Sequence, residues 1–259
     1  MNIKIDSSAI SLNGVLRRFV GPSLREVARP DLSLRAMKAA RVRLSIVGAV
    51  AQLTRERPLA DIAVREICDL AQVAPATFFN YFPSKEDVLV YYMRLWSIPV
   101  TLLCRAAVER GGALDAITIV FDYTAGEMEQ DPRLMLEMIA YIAQAQEPPR
   151  PLSISRAERL LAFPDLPEAA EVEPQTLDDL FTSLLQQALR TGDLAPALSL
   201  QAVVLLLKTI FYGVPLAARR ESGATIRQAY HEVLAVLLAG LKPAEKRGAH
   251  EAEPHTNTV

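Results

Sequence analysis

Apolar positions recur three and four apart between Ile67 and Phe82, with a break in the middle. Ile67 and Ala71 share one helical face, and Phe78 and Phe82 share another. Val73 stands between them as the apolar plug of a tight turn, and Ala71 is small enough for a second helix to cross closely. Ala74-Pro75 suits a helix start, because proline is tolerated at the first helical position. Pro83 ends that helix, Ser84 is a good cap for the next, and Glu86 and Asp87 bring negative charge to its first turn. The pattern fits a helix-turn-helix DNA reader. On periodicity alone it fits a plain helical hairpin of an all-α protein equally well.

Downstream the pattern stays helical. A long helix runs from Ser84 toward Arg110, with Pro99 inside it and Gly111-Gly112 at its end. Leu114 to Gln130 follows. Asp131-Pro132, a cap and a first-turn proline, then starts a helix reaching about Gln146. Glu147 to Pro174 is proline-rich and reads as a loop with one helical piece around Ser155 to Ala162. Thr176 to Arg190, Leu198 to Arg219 and Thr225 to Leu241 complete the set. The tail from Lys242 is polar and reads as disordered. Leu198 to Val214 is apolar almost all round, more than one soluble protomer easily covers. It reads either as a central core helix or as a pairing surface.

Composition narrows the classes. The chain has 259 residues, 51% of them apolar, so a sizeable core is available. No N-terminal signal segment is visible. The strongest apolar run, Leu198 to Ala218, carries Lys208, Gly213 and Pro215, which argues against a membrane span. Cys68 and Cys104 have no metal-ligand spacing and read as buried, reduced thiols of a cytoplasmic protein, so no metal and no cofactor is expected. An enzyme is poorly supported. There is no phosphate-binding glycine loop or nucleophile elbow, and the only histidines are His231, His250 and His255. The net charge of −2 divides unevenly: residues 1–43 hold nine basic side chains against three acidic ones, leaving the remainder at −8. A basic front suits a phosphate partner, or is simply a solvated arm. Within it, Leu12, Val15, Leu16 and Phe19 are spaced for a short amphipathic helix. This extension lies along DNA, packs on the body, or is mobile.

The segment resembles the DNA-binding domain of the TetR family of transcriptional regulators. Ile67, Ala71, Val73, Thr77, Phe78, Tyr81, Phe82, Ser84, Lys85, Glu86 and Leu89 fall on matching positions of that family's pattern. Ala39 to Glu56 fits its first helix, with Val42, Ile46, Ala49, Val50 and Leu53 inward, and Pro58 to Ile62 fits the link to the second. Gln72, Ala74, Ala63 and Phe79 depart from the usual glycine, serine, threonine and tyrosine, which removes several ordinary phosphate contacts. The resemblance implies an all-α chain. Residues 1–33 are a basic extension, 34–83 a three-helix helix-turn-helix domain, 84–241 a helical ligand-binding and dimerisation domain, and 242–259 a disordered tail. Expected at double-stranded DNA are Pro75, Ala76, Thr77, Phe79, Asn80 and Tyr81 of the recognition helix, with Lys85, Arg41, Arg43 and Arg65 toward phosphates.

The resemblance also implies a small-molecule cavity, for which Trp96, Leu103, Phe121, Tyr123, Met128, Met138 and Tyr141 are the lining candidates. These residues read as ordinary core otherwise. It further implies a homodimer through the last two helices, with Val203, Leu207, Ile210, Phe211, Tyr230, Leu234 and Leu237 at the interface. The expected function is a ligand-responsive regulator, a repressor, that binds a palindromic operator and is released by a largely apolar effector. The alternative is a ligand- or protein-binding helical dimer of the same fold with weakened or lost DNA binding.

Overall fold

The structure is a computed structural model that describes residues 11–20, 32–146, 152–195, 199–218 and 225–243. The polar tail beyond Pro243 and most of the basic extension lie outside the described residues. Every regular element among the described residues is helical.

The chain divides into two compact units. The first comprises residues 1–103 and 123–176, the second residues 104–122 and 177–259. The first unit begins with α1 (Leu12–Leu16) and a 3-10 turn, Arg17–Phe19. The short amphipathic helix expected in the extension is therefore present, with Leu12, Val15, Leu16 and Phe19 all buried. Ser11 caps it by accepting the Gly14 N–H at 3.0 Å. Next comes α2 (Leu34–Leu53), buried continuously from Leu44 to Ala51. It starts five residues earlier than the family pattern suggests, because Ser33 caps it through the Ala36 N–H at 3.2 Å. It ends where the Thr54 hydroxyl donates to the Val50 carbonyl at 2.9 Å.

After the 3-10 turn Leu59–Asp61 come α3 (Val64–Ala71) and α4 (Pro75–Tyr81). Ile67, Ala71, Phe78 and Phe82 are buried together with Ile46 and Val50. Gln72 sits between the helices at φ 55°, the left-handed region that glycine occupies freely. The turn keeps this strained residue because the Val73 N–H reaches back to the Cys68 carbonyl at 3.0 Å. Further helices follow along the chain. These are α5 (Glu86–Gly111), α6 (Ala113–Gln130), α7 (Pro132–Gln144) and α8 (Arg156–Ala162). Asp131 caps α7 by accepting the Leu134 N–H at 3.3 Å, as the Asp-Pro pair predicts, and Ser155 caps α8. The α7 helix ends at Gln144, slightly short of the expected Gln146.

The second unit holds α9 (Leu177–Arg190), α10 (Leu200–Ala218) and α11 (Ile226–Leu241). Its centre is aromatic. Phe121 stacks on Phe181 at 5.7 Å and meets Tyr230 edge-on at 5.0 Å, while the Tyr230 hydroxyl donates to the Phe211 carbonyl at 2.7 Å. Both α5 and α10 have the length and apolar composition of a membrane span; α5 is 78% buried over its apolar window, as a core helix is, and α10 only 33%. The two cysteines are free and buried, and burial pushes the Cys104 thiol up to about 12, which leaves it unreactive.

Gly48 of α2 lies against the end of α1. A Cβ added there would stand 2.7 Å from the Leu16 carbonyl oxygen and 2.8 Å from a Val20 methyl. In an unobstructed helix, glycine to alanine gains about 1 kcal/mol. Here the backbone contact wins, and Gly48→Ala is expected to lose about 1–3 kcal/mol of unfolding free energy in urea. A stability gain in the full-length protein would show that the N-terminal segment does not pack on α2.

Candidate nucleic-acid interface

The α4 helix is two-faced. Phe78 and Phe82 turn inward with no exposed surface. Their rings lie 6.1 Å apart, and Phe82 meets Tyr91 edge-on at 5.5 Å. The opposite side of α4 is open. Pro75, Ala76 and Asn80 are exposed, Phe79 is 53% exposed, and Thr77 and Tyr81 are half-buried. Arg65 is exposed on α3. Proline at the first position and a residue in the left-handed turn are what place this face outward, since they fix where α4 begins relative to α3. Neither Ala63 nor Ala74 caps its helix with a side chain. At Ala63 the job passes to Glu66, whose carboxylate accepts the Ala63 N–H at 2.9 Å. That N–H, with the Arg57 guanidinium, lowers the Glu66 carboxyl below its ordinary range.

Two residues expected at phosphates are committed elsewhere. The Lys85 ammonium donates to the carbonyls of Leu59, Ala60 and Ile62 at 2.6, 2.9 and 3.0 Å. It therefore ties off the 3-10 turn before α3 with all three of its protons. The Arg43 guanidinium donates to the Glu158 carboxylate and the Ser153 carbonyl, each at 3.0 Å. It also lies 5.2–5.7 Å from the ring centres of Tyr81, Phe82 and Tyr91. It is a shelf under α4, and Arg41 beside it is half-buried. Sequence alone shows the charge of these residues but not the carbonyls and rings beneath them.

The same unit contains a narrow cavity of about 20 Å³, room for one water-sized body. Its walls are Tyr92 and Trp96 of α5, Thr124, Glu127 and Met128 of α6, and Leu134, Met135 and Met138 of α7, closed by Asn13 and Asp131. Of the expected lining, Trp96, Met128 and Met138 are here, and Tyr123 is buried beside Trp96 at a ring separation of 6.3 Å. Phe121 belongs to the aromatic centre of the other unit, Leu103 is buried away from these walls, and Tyr141 is half-buried on α7. Glu127 was not anticipated. It is 6% exposed, and its two carboxylate oxygens accept the N–H groups of Leu12 and Asn13, each at 3.0 Å. Burial raises the Glu127 carboxyl above its ordinary range, against the lowering effect of those donors. Burial also drives the Tyr92 hydroxyl well up.

In the second unit, Val203, Leu207, Phe211, Tyr230 and Leu234 are buried in their own protomer, and Ile210 and Leu237 are half-buried. Five of the seven residues expected to face a partner therefore point inward. The outward face is Leu205, Leu206 and Leu216 of α10 with Val233 and Val236 of α11. Apolarity on every side of α10 left its inner and outer faces indistinguishable in the sequence. No cluster of metal-ligating side chains occurs among the described residues.

Residues 46–92 match the family described as bacterial regulatory proteins, tetR family. The HTH-type transcriptional regulator EthR of Mycobacterium tuberculosis is 39% identical over 69 residues, 27% of this chain and 29% of that protein. The chain thus matches under a third of the length of this curated relative. Two solved structures share the fold. Thermus thermophilus FadR, in complex with lauroyl-CoA, superposes with a TM-score of 0.56 at 22% identity, covering 84% of this chain and all of that one. Bacillus subtilis FadR, in complex with stearoyl-CoA, gives 0.57 at 14% identity, covering 76% and 98%.

Lys85 is expected to act on stability before it acts on DNA. Lys85→Met keeps the stem and removes three charge-assisted hydrogen bonds, so urea unfolding should show a loss of about 1.5–3 kcal/mol. An unchanged unfolding curve would return Lys85 to the list of free phosphate contacts.

Proposed function

We propose, from the match of residues 46–92 to the tetR family of bacterial regulatory proteins, that the chain is a homodimeric transcriptional repressor. It binds a palindromic operator in the cytoplasm and is released by a small, largely apolar effector. The observation that supports the reading most is the one-sided burial of α4, with Phe78 and Phe82 inward and Pro75, Ala76, Phe79 and Asn80 left to solvent. A helix held from behind and bare in front is what a major groove accepts. Asn80 is the base reader, suited to adenine, and Thr77 and Phe79 flank it as apolar or phosphate contacts. Arg65 supplies a sequence-independent phosphate contact.

Dimerisation rests on the outward apolar face of α10 and α11. Leu205 is 64% exposed and Val236 78%, in company with Leu206, Leu216 and Val233. Gly213 and Gly240 have open space where a side chain would stand, so a second copy's backbone can come close. The effector site is the cavity between Tyr92, Trp96 and the three methionines. The alternative reading, the same fold without DNA binding, is favoured by the commitment of Lys85 and Arg43 to internal partners and by the lack of a polar side chain at Ala63 and Ala74.

Selection of bound duplexes from a random pool separates the two readings. A recovered palindrome supports the repressor, and recovery of no duplex supports the alternative. On the selected duplex, Asn80→Ala is expected to cost about 1–3 kcal/mol of affinity and little on a scrambled one. Arg65→Ala should weaken both and reduce the slope of log affinity against log salt by about 0.9. Equal effects of the two substitutions on both duplexes would contradict these roles. By sedimentation, the native chain is expected to be a dimer and the Leu205→Glu, Val236→Glu double variant a folded monomer. Leu207→Ala, inward-facing, should instead lower unfolding stability by about 2–5 kcal/mol. A dimer that survives the double variant would place the interface elsewhere.

A further inference from the structure

We infer that the effector of this cavity is an apolar molecule with an amine-type hydrogen-bond-donating head, which takes the place of the N-terminal segment Ser11–Phe19 against Glu127. The inference rests on the effector-regulated reading above and adds the chemical class of the effector and what it displaces.

Glu127 sits among Tyr92, Trp96, Met128 and Met135, where a carboxylate without donors would be costly. Its described partners are all neutral: the Leu12 and Asn13 N–H groups at 3.0 Å, the Tyr92 hydroxyl at 3.3 Å and the Ser11 hydroxyl. Three of those four donors belong to one short segment, whose Ser11 hydroxyl also lies 2.8 Å from the Gln130 side-chain oxygen. The segment thus behaves as a built-in ligand, and any molecule that replaces it must bring donors of its own. A primary ammonium brings three and adds the opposite charge, whereas a carboxylate or phosphate head would set like charge against Glu127. Asp131, the other acid on the wall, is already engaged by Arg55 at 3.0 Å and by the Leu134 N–H.

Space requires the exchange. A cavity of about 20 Å³ admits no alkyl chain while Asn13 closes it. Met128, Met135 and Met138 are unbranched and adapt to a chain once the segment withdraws. Withdrawal also reaches the DNA reader. The Leu16 carbonyl lies against Gly48 of α2, the first helix of that domain, so an effector that expels the segment removes a support from α2.

Trp96 is the only tryptophan of the chain and lines the cavity, so its fluorescence reports occupancy directly. Full-length protein would be titrated with octylamine, octanoate and 1-octanol, with amide hydrogen exchange followed over residues 11–20. Octylamine is expected to give a saturable Trp96 response at least about tenfold tighter than octanoate, and to raise exchange at Leu12 and Asn13. Glu127→Gln should bring the amine and the acid within about threefold of one another. Asn13→Ala, which loosens the segment and leaves the carboxylate, should tighten all three probes. Octanoate binding as tightly as octylamine, no saturable response to octylamine, or amine binding with the 11–20 amides still protected would each overturn the inference. A duplex recovered from the random pool alongside any of those results leaves the regulator reading standing. Amine-selective binding with no recovered duplex refutes DNA binding and leaves this assignment standing.

Discussion

A helix of seven residues has no stability of its own in water, so α4 exists only because something holds it. The hold is the burial of Phe78 and Phe82, whose rings lie 6.1 Å apart, with Phe82 edge-on to Tyr91 of α5. Burying two phenylalanines is worth roughly 2–3 kcal/mol each, enough to offset the nucleation cost of so short an element. Because the hold comes entirely from one side, the other side is free to meet a partner. Arg43 extends the support, with its guanidinium beneath Tyr81 and Phe82 and its charge met by Glu158 of α8. The α4 helix is therefore positioned by a salt-bridged aromatic shelf as well as by hydrocarbon.

Much of this was legible as spacing. Ile67 with Ala71, and Phe78 with Phe82, announce two helices sharing one core, and Asp131-Pro132 and Ser155 announce helix starts that the backbone bears out. What was not legible is what a charged or apolar side chain meets across the fold. Lys85 and Arg43 look like phosphate contacts until the Leu59, Ala60 and Ile62 carbonyls and the Tyr91 ring appear beside them. Val203, Leu207 and Phe211 could not be told from Leu205 and Leu206 because α10 is apolar on every side. Glu127 read as one more helical acid, since nothing in its neighbourhood of sequence reveals that Leu12 and Asn13 return to it from more than a hundred residues away.

That return links the least typical part of the chain to the cavity proposed as the effector site. Residues 11–19 lie beyond what a helix-turn-helix domain requires, yet they bury four apolar side chains, donate to a buried carboxylate and press on Gly48. The same few residues thus touch the wall of the cavity and α2. A regulator needs two arrangements of comparable free energy, and a short segment held by a few hydrogen bonds is an economical place to keep the difference.

The central claim is that the bare side of α4 enters a major groove, twice, in a symmetric complex. Methylation protection at guanine N7, an atom reached only through the major groove, tests it on whatever duplex the protein selects. Two blocks of protection centred about one helical turn, or a whole multiple of it, apart are expected. No protection at guanine N7 on the selected duplex, or a single unpaired block, would contradict the claim.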